Sequence, residues 1–510
     1  MEINGIADLP AAEPGGITKR GVLELVFACF LLACAYFFTC IFPVASSPLG
    51  FFVFAVVLLA GTLAAALLLG AKPGLFSYGA LIFALAAAFC RFLNDGSAFD
   101  LAPCFAAFGI AYLFFTVSLF SNHSHGLGGT FLLDIVKGFA YMFLSFGRYF
   151  VSLFHPEGSR RSAKKLLSVF GGIAAAAVLI IIVCSLLSYD AHFSALLPKI
   201  DFDDVFDAML KLSFAVPIAA LLFSALLSSE KRMLPALSTA ESAERTGEKL
   251  HVLPSLLVAL PILGVLAVYV LFFFSQWAYY MSAFTHTLPE GYSAAEYARE
   301  GFFSLLIVAI INSVLIILLS VFTKRSGRAW DAFRKVLMIA LSAATLVLIA
   351  TALSKMFLYI DRFDLTRARL IATLFLCFLA VAFVAVILSV LIRRMKALPV
   401  IIAAGLAMLF LFFVFPVNRS IAKYNVDAYL SGKHENIDVR YLEEDIGYAA
   451  APELIRLYDA AQDPDVKDSA ADMLTVLSGR LGLTGEKWYA SSIPFERAKR
   501  LLNERTFSSK

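Results

Sequence analysis

The sequence predicts an all-α integral membrane protein, and three observations lead to that fold class. The 510-residue chain is 60% hydrophobic and 16% charged, whereas soluble domains are about 45–50% apolar and about 25% charged. The apolar residues form blocks of roughly 20, the length that a helix needs to cross about 30 Å of hydrocarbon. Polar loops separate the blocks. A single segment that crosses lipid must be helical, because only a helix satisfies all the hydrogen bonds of its own backbone.

Eleven transmembrane helices are predicted between residues 21 and 417, after a polar N-terminal tail, 1–20. The tail ends on the basic pair Lys19-Arg20, and the apolar run that follows is too long for a signal peptide, so we interpret it as a retained span. The predicted spans cover about 21–42, 49–70, 75–93, 101–120, 166–188, 205–228, 253–275, 302–322, 336–359, 370–392 and 398–417.

Lysine and arginine residues predict the orientation of these spans. With the N-terminus in the cytoplasm, the inner loops hold most of the basic residues, including the run Arg160–Lys165, as the positive-inside rule requires. An odd number of spans then places the C-terminal part, 418–510, outside the membrane. Its soluble composition predicts a small extracytoplasmic helical domain. One helix is expected to have Asp463 as N-cap and Pro464 at N1, and two more are expected at 451–461 and 495–503.

The segment 129–154 is nearly long enough to be a twelfth span. Its polar residues recur at steps of three and four, which puts them in one narrow stripe on a helix. Because a twelfth crossing would move Lys19-Arg20 or the run Arg160–Lys165 outside, we predict an amphipathic helix in the cytoplasmic interface. The alternative is a span whose polar stripe packs inward. The stripe consists of Asp134, Lys137, Tyr141, Ser145, Arg148 and Ser152.

The eighth span is preceded by a group of charged residues. Ser293, followed three residues later by Glu296, forms a capping box, so the helix is expected to begin near Ala294 and to continue into the span. Glu296, Arg299 and Glu300 then share one face of its first turns. The two carboxylates suit the positive end of the helix dipole.

Three arginines, Arg362, Arg367 and Arg369, fall in the next outer loop, against the positive-inside trend. Asp364 is the expected N-cap of the following span, which places Arg367 and Arg369 near a helix N-terminus, where cations oppose the dipole. We therefore expect an anionic partner for these arginines, and the carboxylates before the eighth span are the nearest candidates.

Three interpretations of this outer charge cluster stay open. It forms an ion-pair network that pins the eighth and tenth spans together, or a cup for a phosphate or carboxylate group, to which paired arginines are suited. In the third, the arginines extend to lipid headgroups. The candidate ligand-binding residues are Glu296, Arg299, Glu300, Arg362, Arg367 and Arg369.

The sequence gives no catalytic, metal-binding or cofactor-binding motif. HExxH, GxSxG and Walker-type loops do not occur, so no catalytic residue, metal ion or cofactor is predicted. A formal net charge of only +4 gives no reason to expect a nucleic-acid partner. The seven cysteines lie in or beside apolar blocks and are expected to be packing residues. A disulfide among those near outer helix ends, Cys40, Cys90 and Cys104, is the alternative.

Four runs in the second half of the chain carry a family resemblance: LPEGYSAAEYAREGFFSLLIVAIIN, LYIDRFDLTRARL, NVDAYLSGKHENIDVRYLEEDIGYAAAPEL and KWYASSIPFERAKRLL. Together they resemble a bacterial family of polytopic membrane proteins defined by a domain of unknown function, the 4153/4173 group. The resemblance covers roughly 253–510, and the first half resembles only the variable, hydrophobic part of the family. The matching positions are Tyr297 to Gly301, Tyr359, Leu365, Thr366, Arg367, Arg369, Asn425, Asp427, Asp438, Tyr441, Leu442 and Pro452.

One run departs from the family pattern, since Tyr448–Pro452 lacks the family's acidic residue. The resemblance implies a bacterial cell-membrane protein with multiple spans. It implies no activity.

Three functions fit these observations. The first is a non-enzymatic protein of the cell membrane whose outer face binds an anionic lipid or a phosphate-containing ligand, in sensing or in transport. Transport predicts a water-filled path that reaches mid-membrane beside Asn312, a polar residue that is expected to face another helix, whereas sensing predicts a closed bundle with an outer pocket. The second is a transferase acting on an anionic lipid or lipid-linked precursor, with Arg367 and Arg369 on phosphate and Glu296 or Glu300 as base. The third is an assembly factor that docks a partner protein through its C-terminal domain.

Overall fold

The structure is a computed structural model in which most of the described chain is helical. Within the described residues, β-pairing is limited to one isolated parallel bridge between Leu253 and Thr323. The predicted all-α fold class is therefore confirmed for this part of the chain. The described residues are 19–42, 47–94, 101–120, 129–154, 202–229, 251–275, 294–324, 327–392, 394–484, 488–505 and 507.

The helices of the membrane part include nine, within the described residues, that are long and apolar enough to cross a membrane. A tenth apolar stretch, Cys104–Phe120, is shorter. The chain is therefore a multi-pass membrane protein. The helices are α1 (Lys19–Ile41), α2 (Pro48–Leu68), α3 (Leu75–Asn94), α4 (Leu101–Phe120), α5 (Gly129–Leu144), α6 (Gly147–Phe154), α7 (Phe202–Ser229), α8 (Ser255–Ser275), α9 (Ala294–Ile317), α10 (Gly327–Arg362), α11 (Arg367–Leu391) and α12 (Ala397–Val414).

Most predicted spans coincide with a helix to within a few residues, and two predictions need correction. The helix predicted at 336–359 is α10, which has 36 residues and is about 54 Å long at 1.5 Å per residue. The segment 129–154 is interrupted between α5 and α6, where Gly147, a residue that disfavours helix interiors, begins the second helix. The span predicted at 166–188 lies outside the described residues.

The membrane helices form two bundles, each with its own apolar core. Phe115 and Phe223 are buried in the core of the first bundle, which α1 to α7 form. Leu341 is buried in the core of the second bundle, which α8 to α11 form. The two bundles meet along α12, since Phe413 packs into the first core and Ile401 packs against the second.

Aromatic rings and small residues fill the first bundle. The rings of Phe51 and Phe105 meet edge to face with centroids 4.5 Å apart, a favourable geometry for aromatic pairs. Cys90 and Cys104 pack in the same core, and neither of these cysteines nor Cys40 forms a disulfide. The alternative of a disulfide among these three cysteines is therefore wrong, and the packing interpretation holds for Cys90 and Cys104.

Gly61 permits the close approach of α2 to α1. A Cβ atom at this position would clash with two atoms of the Phe30 ring. We expect Gly61→Ala to lower the free energy of unfolding by about 1–3 kcal/mol, the usual cost of overpacking. The control is Gly79→Ala in α3, where an added Cβ meets no atom within 4 Å and alanine is favoured by up to about 1 kcal/mol. Unfolding of both variants in one detergent measures the difference, and equal stabilities would contradict this packing.

A buried amide crosslinks the second bundle near its centre. Asn312 is fully buried; its Oδ1 accepts a hydrogen bond from the Tyr269 hydroxyl and its Nδ2 donates to Thr345 Oγ1, each at 2.9 Å. Asn312 therefore faces other helices, as predicted, and it links α8, α9 and α10. Both ends of the amide are satisfied by protein.

The helices α5 and α6 close one end of the first bundle around Glu24. Glu24 Oε1 accepts hydrogen bonds from Arg20 and Arg148, and Oε2 accepts one from Ser152, all at 3.0 Å. Arg148 and Ser152 belong to the predicted polar stripe, so the stripe packs against α1 at this position. Beside them the ring of Tyr149 is fully buried. We call this region the Glu24 end.

A group of helices at the opposite end forms the tail domain, which we define as the described residues from Val417 onward. Its apolar core includes Ile421, Leu454 and Leu474. The helices predicted at 451–461, from Pro464, and at 495–503 are all present. They are α13 (Val417–Leu430), α14 (Ala451–Ala460), α15 (Pro464–Thr484) and α16 (Ile493–Asn503).

Candidate functional site

The tail domain contacts the first bundle where α1 ends and α2 begins. The rings of Trp488 and Phe37 stack with centroids 6.3 Å apart, and the amide of Leu49 donates to the Ser491 carbonyl oxygen at 3.1 Å. Close to this hydrogen bond, a Cβ at Gly50 would lie 2.9 Å from the Cβ of Tyr489. The backbones of α2 and the tail domain therefore approach closely.

A second contact fastens the connection between α10 and α11 to the tail domain. The Leu365 amide donates to Asn425 Oδ1 at 2.7 Å, and Asn425 Nδ2 donates to the Leu365 carbonyl oxygen at 3.0 Å. One buried side chain thus satisfies both backbone groups of Leu365. Such paired contacts hold the connection in one register on α13.

Asp364 occupies the left-handed backbone region, with φ of 62°, which aspartate tolerates better than most residues. Its Oδ1 lies 2.7 Å from His434 Nδ1, and its Oδ2 accepts from the Asp438 amide at 3.4 Å. The carboxylate is therefore engaged with the tail domain and does not cap α11. The N-cap is Thr366, whose side chain accepts from the Arg369 amide at 3.4 Å, so the expectation for Asp364 was wrong.

Arg367 begins α11 and contacts the tail domain through its backbone and its side chain. Its amide donates to the Tyr441 hydroxyl at 2.8 Å. Its guanidinium donates to Asn418 Oδ1 from Nε at 3.2 Å and from Nη2 at 3.0 Å, and to the Asp445 carbonyl oxygen at 2.8 Å. These acceptors are neutral oxygens of the tail domain.

Asn418 also contacts the end of the first bundle. Its Nδ2 donates to the Asn94 carbonyl oxygen at 2.9 Å, and its amide donates to Asn94 Oδ1 at 3.2 Å. Asn94 is the last residue of α3, and only 2% of Asn418 is exposed. One buried side chain therefore links α3 of the first bundle to Arg367 at the start of α11, in the second.

We call the contact formed by these residues the joint. In the joint, the last residue of α3, the connection between α10 and α11, and the first residue of α11 contact α13 and the turns that follow it. Its members are Asn94, Asp364, Leu365, Arg367, Asn418, Asn425, His434 and Tyr441.

Arg369 turns back to the end of α10. Its guanidinium donates to the carbonyl oxygens of Phe363 and Asp364 and lies 4.0 Å from the centroid of the Tyr359 ring. The C-terminal carbonyl groups of a helix carry partial negative charge, and an aromatic face attracts a guanidinium. These contacts explain how a cation is accommodated at the start of α11.

The other predicted site residues stand in different positions. α9 begins at Ala294, as predicted, and its first turns contain Glu296, Arg299 and Glu300. The side chains of these three residues are not among those that the structure describes. Their expected pairing with Arg362, Arg367 and Arg369 therefore stays a prediction. Arg362 is exposed in the last turn of α10, where a cation suits the helix dipole.

Burial is the main influence on the pKa of Tyr441. It raises the pKa of the phenol, and the hydrogen bond from the Arg367 amide and the charge of the Arg367 guanidinium offset part of that rise. The phenol therefore stays neutral at physiological pH and accepts the hydrogen bond from the start of α11.

Sequence reasoning missed Asn94, Asn418 and His434. Charge patterns in the sequence indicate candidate outer-face residues, and uncharged amides give no such signal. The available clue was position, because Asn94 ends a predicted span and Asn418 stands at the change in composition after the last one. Among the described residues, no three His, Cys, Asp or Glu side chains are grouped to hold a metal ion.

The joint connects helices. Its described contacts are hydrogen bonds that involve backbone and amide groups, together with the side-chain contact between His434 and Asp364. Searches of curated proteins and of solved structures gave no match. The family model described as Domain of unknown function (DUF4153) matches residues 26–457. The match reaches further towards the N-terminus than the resemblance over 253–510 indicated, so it includes the first bundle, and it ends before the run from Lys487 to Leu502. The chain therefore belongs to the DUF4153 family, whose defining domain has no known function.

Proposed function

We propose that this protein is a non-enzymatic, multi-pass protein of the cell membrane that senses conditions at its outer face. The observation that carries the proposal is the double contact of Asn418, which hydrogen-bonds both Asn94 and Arg367. A change at the outer face that displaced Asn418 would release α3 and α11 together. The joint would in this way pass a local event on to two helix bundles.

The core of the second bundle favours sensing over transport. Asn312 is fully buried, and both ends of its amide are hydrogen-bonded to Tyr269 and Thr345. A water-filled path would need free polar groups at this depth, since water in a membrane cavity is held by hydrogen bonds. The satisfied amide supports a closed bundle instead.

The proposed orientation has the N-terminus, α5 and α6 in the cytoplasm and the tail domain outside. The basic residues of the connecting loops support it. The ends of α1 and α3 meet the tail domain, whereas Glu24 near the start of α1 lies at the other end. The pairing of Phe27 with Phe223 places the end of α7 at the Glu24 end, so α7 starts at the tail end. The chain leaves α6 at the Glu24 end, which supports the additional crossing proposed at 166–188.

An anionic ligand at the outer face would act through Arg367. A carboxylate or phosphate group binds a guanidinium more strongly than a neutral oxygen does. Such a ligand would therefore compete with Asn418 and the Asp445 carbonyl group for Arg367. Loss of the Asn418 contact would open the joint.

Single-cysteine labelling in intact cells tests this proposal. In a background without native cysteines, Asn436→Cys in the exposed tail segment should react with a membrane-impermeant maleimide added outside. Arg394→Cys, exposed between α11 and α12, should react only after the cells are opened. Ala309→Cys, fully buried one turn from Asn312, should stay unreactive in both conditions because the bundle is closed.

Two results would reject parts of the proposal. Reaction of Ala309→Cys with an impermeant reagent would indicate a water-filled path and favour transport. Protection of Asn436→Cys in intact cells, with reaction after opening, would place the tail domain in the cytoplasm. Denatured samples of each variant, which should all react, control for expression.

A further inference from the structure

We propose that His434 and Asp364 form a proton-operated latch at the joint, closed when the imidazole is protonated and weakened when it is neutral. The proton would be an input to the sensing function proposed above. Only the step from the joint to the two bundles rests on that function. The latch itself rests on the contacts of the imidazole.

Both ring nitrogens of His434 face oxygen atoms of the connection between α10 and α11. Nδ1 lies 2.7 Å from Asp364 Oδ1, and Nε2 lies 3.0 Å from the Asp361 carbonyl oxygen. The side chain is 2% exposed, so the ring has almost no contact with solvent. The imidazole therefore bridges two acceptors, and neither of them can donate a hydrogen.

Only the doubly protonated imidazole satisfies both acceptors. A neutral imidazole has one N–H group and one lone pair. In either tautomer, one nitrogen then directs a lone pair at an oxygen, and water has little room to replace the missing hydrogen bond. Deprotonation therefore removes one hydrogen bond of the joint and turns a charge-assisted pair into a weaker neutral one. An unperturbed imidazole changes its charge between about pH 5 and pH 8.

The charged groups around the ring fit this role. The Asp361 carboxylate pairs with Lys433, and this hydrogen bond raises the pKa of Lys433. The Asp364 carboxylate faces the imidazole directly, and the guanidinium of Arg369 donates to the Asp364 carbonyl oxygen. Further charged residues close in sequence to His434 or to its two partners are Arg362, Glu435 and Asp438.

The latch is placed to control the joint. Asp364 directly precedes Leu365, whose backbone is held by Asn425, and Arg367 follows two residues later. Acid therefore tightens the joint, and a rise in pH loosens it. The effect has this sign because only the protonated ring can donate to both oxygens at once, and a rise in pH takes away one of the two protons it needs.

Hydrogen exchange of the full chain in lipid nanodiscs tests the latch. Protection factors, corrected for intrinsic exchange at each pH, are measured for the amides of Leu365, Arg367 and Asp438. We expect wild-type protection to fall by about tenfold or more between about pH 5 and pH 8, as loss of a charge-assisted hydrogen bond predicts. In His434→Gln, whose amide does not titrate, protection should be low and independent of pH.

Two further variants make the test specific. Asp364→Asn keeps a residue type that accepts the left-handed conformation but removes the carboxylate, so its pH dependence should shrink. His251→Gln, before α8 and outside the joint, should keep the full wild-type response. Unchanged protection of Leu454 and Leu457 in the tail core reports that each variant is folded.

A wild-type joint whose protection does not change with pH would overturn the latch, and so would a His434→Gln variant that keeps the wild-type response. Neither result bears on the labelling pattern that tests the proposed function. Conversely, reaction of Ala309→Cys in a protein whose joint responds to pH would reject the closed-bundle sensor and leave the latch in place.

Discussion

Asn418→Ala is expected to lower the free energy of unfolding by about 2–4 kcal/mol, a large effect for a single amide. The substitution removes one buried side chain but leaves hydrogen-bonding groups of Arg367 and Asn94 without the partner they have in the wild type. Each buried polar group that loses its partner costs about 1–3 kcal/mol. Unfolding by a denaturing detergent in mixed micelles, followed by the loss of helix signal, measures the change.

A double-mutant cycle tests whether Asn418 couples the bundles or merely stabilises each. Asn94→Ala and Arg367→Ala are made singly and together. Because both residues hydrogen-bond Asn418, we expect a coupling of about 0.5–3 kcal/mol, the range for residues in one network. In the Asn418→Ala background the coupling should disappear.

The control for this cycle pairs Asn94→Ala with Arg369→Ala. Arg369 binds the Phe363 and Asp364 carbonyl groups, and neither of these contacts involves Asn418. The two effects should add to within about 0.5 kcal/mol. Additive effects for Asn94 and Arg367 as well would mean that the joint does not couple the bundles, whatever its contribution to stability.

The helices could be predicted from the sequence because their causes are local. An apolar block of sufficient length predicts a span, and the capping-box pattern in the sequence predicted that α9 begins near Ala294, where the described helix starts. Asn312 could be assigned to a helix interface because an amide in lipid has nowhere else to satisfy its hydrogen bonds. The full length of α10 was harder to predict, since the polar turns around Trp330 and Arg362 lie outside the apolar block.

The joint could not be predicted, because its partners are distant in the chain and mostly uncharged. Asn94 and Asn418 are 324 positions apart, and no pattern in the sequence connects two asparagines at the ends of spans. Arg362, Arg367 and Arg369 stand out in the sequence because they break the positive-inside trend in the predicted orientation. Their described partners are neutral oxygens and an aromatic ring rather than the carboxylates that a search for opposite charge suggests.

The family resemblance in the sequence included several residues of the joint but did not indicate that they contact one another. Leu365, Arg367, Asn425 and Tyr441 were among the matching positions, and the structure brings them together. The family match over 26–457 includes Asn94, Asn418 and His434 as well. The family domain thus extends over both bundles and the part of the tail domain that joins them.

At the other end of the first bundle, Glu24→Leu is expected to lower the free energy of unfolding by about 3–5 kcal/mol. Glu24 accepts hydrogen bonds from Arg20, Arg148 and Ser152, and its side chain is only 12% exposed. This is the usual cost of removing one charged partner from a largely buried ion pair. Glu24→Gln keeps the shape and should cost less, about 1.5–3 kcal/mol, and Ser152→Ala about 1 kcal/mol. Equal stabilities of Glu24→Leu and wild type would contradict the network.

The same variant decides whether α5 and α6 lie in the interface or cross the membrane. If they lie in the interface, loss of the Glu24 anchor lets the segment 129–154 separate from α1 into water, and its amides should exchange faster. If they cross, hydrocarbon surrounds the segment, and its backbone stays protected even when Glu24 is gone, because an unsatisfied amide in lipid is too costly. Faster exchange in Glu24→Leu, absent in Ser152→Ala, is the result we expect, since the contacts of α6 with Glu24 and of Tyr149 with the Ala28 carbonyl group hold it against the start of α1.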